Sequence, residues 1–138
     1  MEESKSSLVV IRIPKIWQSK MIKSLFLYLM SLVYLLAGVN HFLNPKFYLR
    51  IIPNWLPYHT AINYLSGALE IIFALLLIPE STRSMGAWLL ILLLVAVFPA
   101  NIQMSINSYQ HNAPNFLLTI IRLPLQLVLI WWAWQYTK

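Results

Sequence analysis

Four apolar stretches, Ile22–Phe42, Ala61–Ile78, Met85–Ile106 and Asn115–Tyr136, account for most of the chain. Each is close to the roughly 20 residues a helix needs to cross the hydrocarbon core of a bilayer. Backbone amides in lipid must bond within their own segment, so stretches of this length are expected as helices. The composition agrees: 59% of the 138 residues are hydrophobic and only 10% charged, where a soluble domain carries about 25% charged residues. The expectation is an all-α membrane protein, a four-transmembrane-helix bundle formed by one domain over residues 1–138 and placed in the cell membrane as a multi-pass protein.

The formal charge of +6 invites a nucleic-acid reading, but the cations stand where orientation would place them. Lys5, Arg12, Lys15, Lys20 and Lys23 lie before or at the start of the first span, Arg83 lies in the second loop and Lys138 ends the chain. Lys46 and Arg50 lie in the opposite loop. The positive-inside bias therefore predicts both termini and the Pro79–Ser84 turn on the cytoplasmic side, with Asn44–Thr60 and Asn107–Pro114 outside. No nucleic-acid partner is expected; the lipid bilayer is. Residues 1–20 read as a cytoplasmic or interfacial segment, with Leu8–Ser19 lying along the membrane surface and Trp17 as its anchor. The run "LVVIRIPKIW" is too short, and too broken by Arg12 and Pro14, for a cleavable signal.

The connections differ in character. "IPESTR" ends the second span at Pro79 and offers Ser81 or Thr82 as a cap for the third. The first outer loop, "NPKFYLRIIPNWLPYHT", mixes three prolines with Phe47, Tyr48, Ile51, Ile52, Trp55, Leu56 and Tyr58. Such an apolar loop belongs either over the outer mouth of the bundle or in the headgroup layer, where Trp and Tyr are favoured. "IWWAWQYTK" reads as an aromatic girdle closed by one snorkelling lysine.

Polar residues inside the spans fall into one layer. Counted along their helices at 1.5 Å per residue, Glu70, Asn101 and Arg122 lie roughly 8–14 Å below the outer boundary. Asn40 and His41 lie above them and Gln126 slightly below. Spacing groups them further: Asn63, Ser66, Gly67, Glu70 and Ala74 share one face, as do Asn115, Thr119, Arg122 and Gln126, and Tyr34, Ala37, Gly38 and His41. On the third span Val97, Phe98, Asn101, Met104 and Ser105 form the stripe. Polar stripes avoid lipid, so all four should turn inward. Pro99 and Pro124 lie at this depth, and each frees the carbonyl four residues earlier, those of Val95 and Ile120, which then need donors.

Two readings of the layer stay open. Glu70 and Arg122 as an internal ion pair would set helix register, with Asn101 serving a kink and nothing bound. Alternatively Glu70, Asn101, Arg122, His41 and Gln126 line a site for the polar head of a lipophilic molecule. A quinone, whose carbonyls need donors, is the cofactor class this set suits. The chain has no cysteine, which removes thiolate and iron–sulfur chemistry from the chain alone. His41, His59 and His111 share no ligand spacing, so no metal is expected.

The order "AGVNHFLNPKFY", "IPNWLP", "YLSGALEIIFALLLIPESTR" and "LLILLLVAVFPANIQM" resembles the DoxX-like family of small four-span membrane proteins, from about Leu35 to Met104. Gly38, His41, Pro45, Pro53, Pro57, Gly67, Glu70, Pro79, Arg83 and the Phe98-Pro99-Ala100-Asn101 run carry the likeness. It implies a four-helix bundle of the family type and a redox-associated role; with no cysteine and no separate catalytic domain in this chain, an accessory is expected rather than an enzyme acting on its own. The rival expectation is a helper that assembles another membrane protein through its lipid-facing helices, with the polar layer purely structural.

Overall fold

The computed structural model describes residues 15–138, and is all-helical over them: α1 (Lys15–Leu43), a short α2 (Pro45–Leu49), α3 (His59–Leu76), α4 (Glu80–Gln110) and α5 (Phe116–Trp134). Four of these, α1, α3, α4 and α5, are long and apolar enough to cross a membrane. The expected spans each fall on one of them. The expected interfacial run Leu8–Ser19 lies largely outside the described residues; its last five positions belong to α1.

Outward faces are apolar throughout. Leu25, Leu36, Leu65, Leu92, Leu117 and Trp131 are all well over half exposed. A contiguous coat of this kind is costly in water and suited to lipid, so the molecule is a multi-pass membrane protein. At 31 residues, α4 is about 46 Å long and overruns a hydrocarbon core of about 30 Å. Its helix carries on through Asn107 and Ser108, which the sequence suggested as loop. Asn107 is held by Gln103, whose Nε2 donates to Asn107 Oδ1 at 2.9 Å, and its carbonyl accepts from His111 Nδ1 at 2.8 Å.

The bundle is built as two helical hairpins. In the first, α1 packs along α3; in the second, α4 packs along α5; the α3–α4 turn joins them. Gly38 and Gly67 set the α1–α3 approach. A Cβ on Gly67 would come within 2.6 Å of His41 Cβ and 2.8 Å of the Gly38 carbonyl oxygen, and one on Gly38 within 2.6 Å of the Gly67 carbonyl oxygen. Backbone therefore lies on backbone there, as small residues permit between membrane helices.

Close packing is concentrated beside the α3–α4 turn. Leu27, Met30, Phe73, Ala74, Leu77, Ala87, Leu90, Ile91 and Ala133 are buried there. Gly86 lets α4 close onto the end of α3, since a Cβ would meet Leu76 Cβ at 2.9 Å. The turn differs from the expected capping. The N-cap of α4 is Pro79 with no side-chain bond, and Thr82 instead serves the preceding helix, its Oγ1 donating to the Leu76 carbonyl at 2.8 Å. Arg83 does likewise, donating from Nε to Leu77 at 3.1 Å and from Nη2 to Ile78 at 3.0 Å. A cation on the orphan carbonyls of a C-terminus also complements the helix dipole. The chain's end closes the same pole: Ser84 Oγ donates to the Thr137 carbonyl at 2.6 Å, and Tyr136 Oη to the Lys23 carbonyl at 2.9 Å.

Candidate functional site

At the opposite pole the two hairpins part around a cavity of about 380 Å³. All five residues singled out from sequence, His41, Glu70, Asn101, Arg122 and Gln126, line it. Four helices contribute, and the α1–α3 loop adds Tyr48, Ile51, Ile52, Pro53 and Leu56. That loop therefore packs over the mouth of the bundle, one of its two expected places. It is tied down by a short chain of side chains: Asn44 Nδ2 donates to Asn40 Oδ1 at 2.6 Å, and Asn40 Nδ2 to Tyr48 Oη at 2.9 Å. His59 Nε2 donates to the Pro53 carbonyl at 3.0 Å.

His41 is the best-fixed member. Its Nδ1 lies 2.8 Å from Asn63 Oδ1, and Asn63 Nδ2 donates to the His41 carbonyl at 3.0 Å. Because the Asn63 amide nitrogen is engaged as a donor, its oxygen is the acceptor, and His41 Nδ1 must carry hydrogen. The Tyr48 ring stacks on the imidazole, with centroids 3.6 Å apart. This leaves Nε2 facing Glu70 Oε1 at 3.7 Å. Glu70 thus pairs with His41 across α1 and α3. The ion pair between Glu70 and Arg122 that depth suggested is not formed: Arg122 Nη1 instead contacts Met104 Sδ at 3.6 Å, and no carboxylate lies within ion-pair distance of it among the described residues. Depth put the two charges in one layer, but the cavity separates the α1–α3 hairpin from α5.

Asn101 and Gln126 serve the helices themselves. Asn101 Nδ2 donates to Gln126 Oε1 at 2.7 Å, and Gln126 Nε2 donates to the Leu94 carbonyl on α4. Reciprocally, Ser105 Oγ on α4 divides its one hydrogen between the Asn101 carbonyl of its own helix and the Thr119 carbonyl on α5, both at 3.1 Å. Leu94 precedes Pro99 by five residues and Thr119 precedes Pro124 by five. Each proline-bearing helix therefore sends a donor to the carbonyl one position before the one its partner's proline frees. The expected recipients, Val95 and Ile120, are displaced by one residue. Proline removes the donor to the carbonyl four residues back and crowds it; the carbonyls one residue earlier, of Leu94 and Thr119, are the ones the neighbouring helix reaches.

Two of the lining residues carry buried polar atoms that the protein leaves unsatisfied. Glu70 Oε2 and Tyr34 Oη are buried and find no hydrogen-bond partner among the described residues. Tyr34, only 5% exposed, stood on the inward stripe of α1, but sequence gave no reason to prefer it over its neighbours. Asn63 was likewise on a stripe; its role as the clamp on His41 is a tertiary fact. No cluster of three or more metal-ligating side chains occurs among the described residues.

A family model described as Domain of unknown function (DUF8561) matches residues 30–137. The chain belongs to this DUF8561 family. The matched span contains every residue lining the cavity. No curated protein and no solved structure matches the chain.

Proposed function

We propose that this DUF8561 protein is a DoxX-like, redox-associated accessory protein that holds the polar head of a lipophilic, quinone-like molecule in the outer half of its bundle. The observation that carries the reading is the cavity: it gathers Glu70, Tyr34 and Arg122 against an apolar wall of Val33, Ile62, Leu94, Val97, Leu125 and Leu129. Its volume falls at the low end for small-molecule sites, enough for a ring-sized head and not for a long tail. Two of its lining residues, Val33 on α1 and Leu125 on α5, are also exposed on the molecule's outside. The side bonds between those two helices, Tyr136 to Lys23 and Phe26 against Trp132, lie toward the other pole. A tail leaving between α1 and α5 would therefore enter lipid directly. With no cysteine in the chain, electrons for any redox step would come from a partner.

The test is extraction. Protein purified gently from its native membrane should carry about one polar-headed lipid per chain, identified by mass spectrometry. Ala37→Phe, which fills the cavity from α1, should lose it while unfolding at a similar temperature. A wild type that yields only bulk phospholipid in membrane proportion, together with a co-purifying membrane protein, would replace this reading with that of an assembly helper.

A further inference from the structure

Resting on the binding reading above, we infer that the occupant's head carries a neutral hydroxyl, as a phenol, hydroquinone or alcohol does, and that Glu70 and Tyr34 recognise that group. Two buried atoms of cavity-lining residues that lack partners, Glu70 Oε2 and Tyr34 Oη, make complementary demands. Paired with a protonated His41, Glu70 is a carboxylate, whose Oε2 only accepts and so needs a donor. Tyr34 Oη can donate, and so needs an acceptor. A hydroxyl can answer both kinds of demand, donating a hydrogen bond to Glu70 and accepting one from Tyr34.

Other head chemistries fit less well. A ketone or a fully oxidised quinone offers acceptors only, which would satisfy Tyr34 and leave Glu70 Oε2 buried without a donor. An ammonium would donate to Glu70, but Arg122 lines the same cavity with no carboxylate within ion-pair distance; a second cation there would be repelled. The amides are not available to change this balance. Asn101 and Gln126 already give donors to Gln126 Oε1 and the Leu94 carbonyl, and Asn63 is spent on His41. His41 covers the other carboxylate oxygen, Oε1, so Oε2 is the one left for a ligand.

Matched probes test this without redox chemistry. Para-dodecylphenol and para-dodecylanisole differ only in whether the oxygen bears hydrogen or methyl. Full-length protein in nanodiscs would be equilibrated with an equal mixture of the two, and the retained ratio read by mass spectrometry against empty discs. A hydrogen bond to a buried carboxylate should enrich the phenol about ten-fold over the anisole. Tyr34→Phe should reduce the enrichment several-fold. Glu70→Leu should bring the ratio to that of empty discs, with Glu70→Gln, which keeps an acceptor without the charge, in between. If wild type retains both probes equally, the hydroxyl inference fails and the binding reading stands. If it retains neither above empty discs, both fail. Undiminished phenol enrichment in Glu70→Leu would show that the hydroxyl is read elsewhere and would overturn the assignment to Glu70.

Discussion

His41 is held from three directions: Asn63 fixes its Nδ1, Tyr48 covers its face, and Glu70 meets its Nε2. The consequence is that Glu70 should be coupled energetically to His41 and not to Arg122. In a double-mutant cycle followed by thermal unfolding in detergent, Glu70→Gln and His41→Gln should be non-additive by about 1–2 kcal/mol, within the range for residues in one network. Glu70→Gln and Arg122→Gln should add within about 0.5 kcal/mol. The reverse ranking would restore the transmembrane charge pair and remove the basis for an unpaired Glu70 Oε2. Sequence could assign these residues to a face and a depth, because helical rise and spacing determine both. It could not assign partners. Which of two inward charges meets Glu70 depends on where the hairpins part, and that is set by contacts such as Gly38 on Gly67 that have no periodic signature.

Between elements, the exchange of donors across the two prolines makes α4 and α5 a single unit. Gln126 is 4% exposed and Thr119 only 1%, so losing a donor leaves a buried carbonyl or amide unsatisfied at about 1–3 kcal/mol. Gln126→Leu should cost that much in detergent stability, and Ser105→Ala less, because the Ser105 hydroxyl divides one hydrogen between the Thr119 and Asn101 carbonyls. Adding Asn101→Leu to Gln126→Leu should cost little more, since the first change already orphans Asn101 Nδ2. Full additivity would mean that the two amides act separately. The existence and approximate limits of all four long helices were legible from apolar length, as was the demand for donors near Pro99 and Pro124. The ends were less so: α4 starts earlier than expected, at Glu80, and runs on to Gln110, where polar residues at the membrane boundary, such as Gln103 and Asn107, bond along the helix rather than ending it.

For the molecule as a whole, the tightly packed pole holds the α3–α4 turn, the start of α1 and the chain's end, and the cavity pole holds the other two loops. Their placement across the membrane follows from charge. Arg83, Lys23 and Lys138 mark the packed pole, while Lys46 and Arg50 belong to the loop over the cavity. The bias predicts the packed pole in the cytoplasm and the cavity facing the outer leaflet. Arg83 gives this a complication worth testing, because its guanidinium also caps α3 and so has a structural reason to be where it is. With that residue discounted, the excess still rests on the lysines and Arg12 at the start of the chain. The chain has no cysteine, so single cysteines can be placed without background. Tyr58 is 82% exposed beside the mouth and Ser81 is exposed in the turn. In intact cells an impermeant maleimide should label Tyr58→Cys and spare Ser81→Cys, and after permeabilisation both should react. Labelling of Ser81→Cys in intact cells would invert the molecule, and the cavity would then draw its occupant from the cytoplasmic leaflet instead.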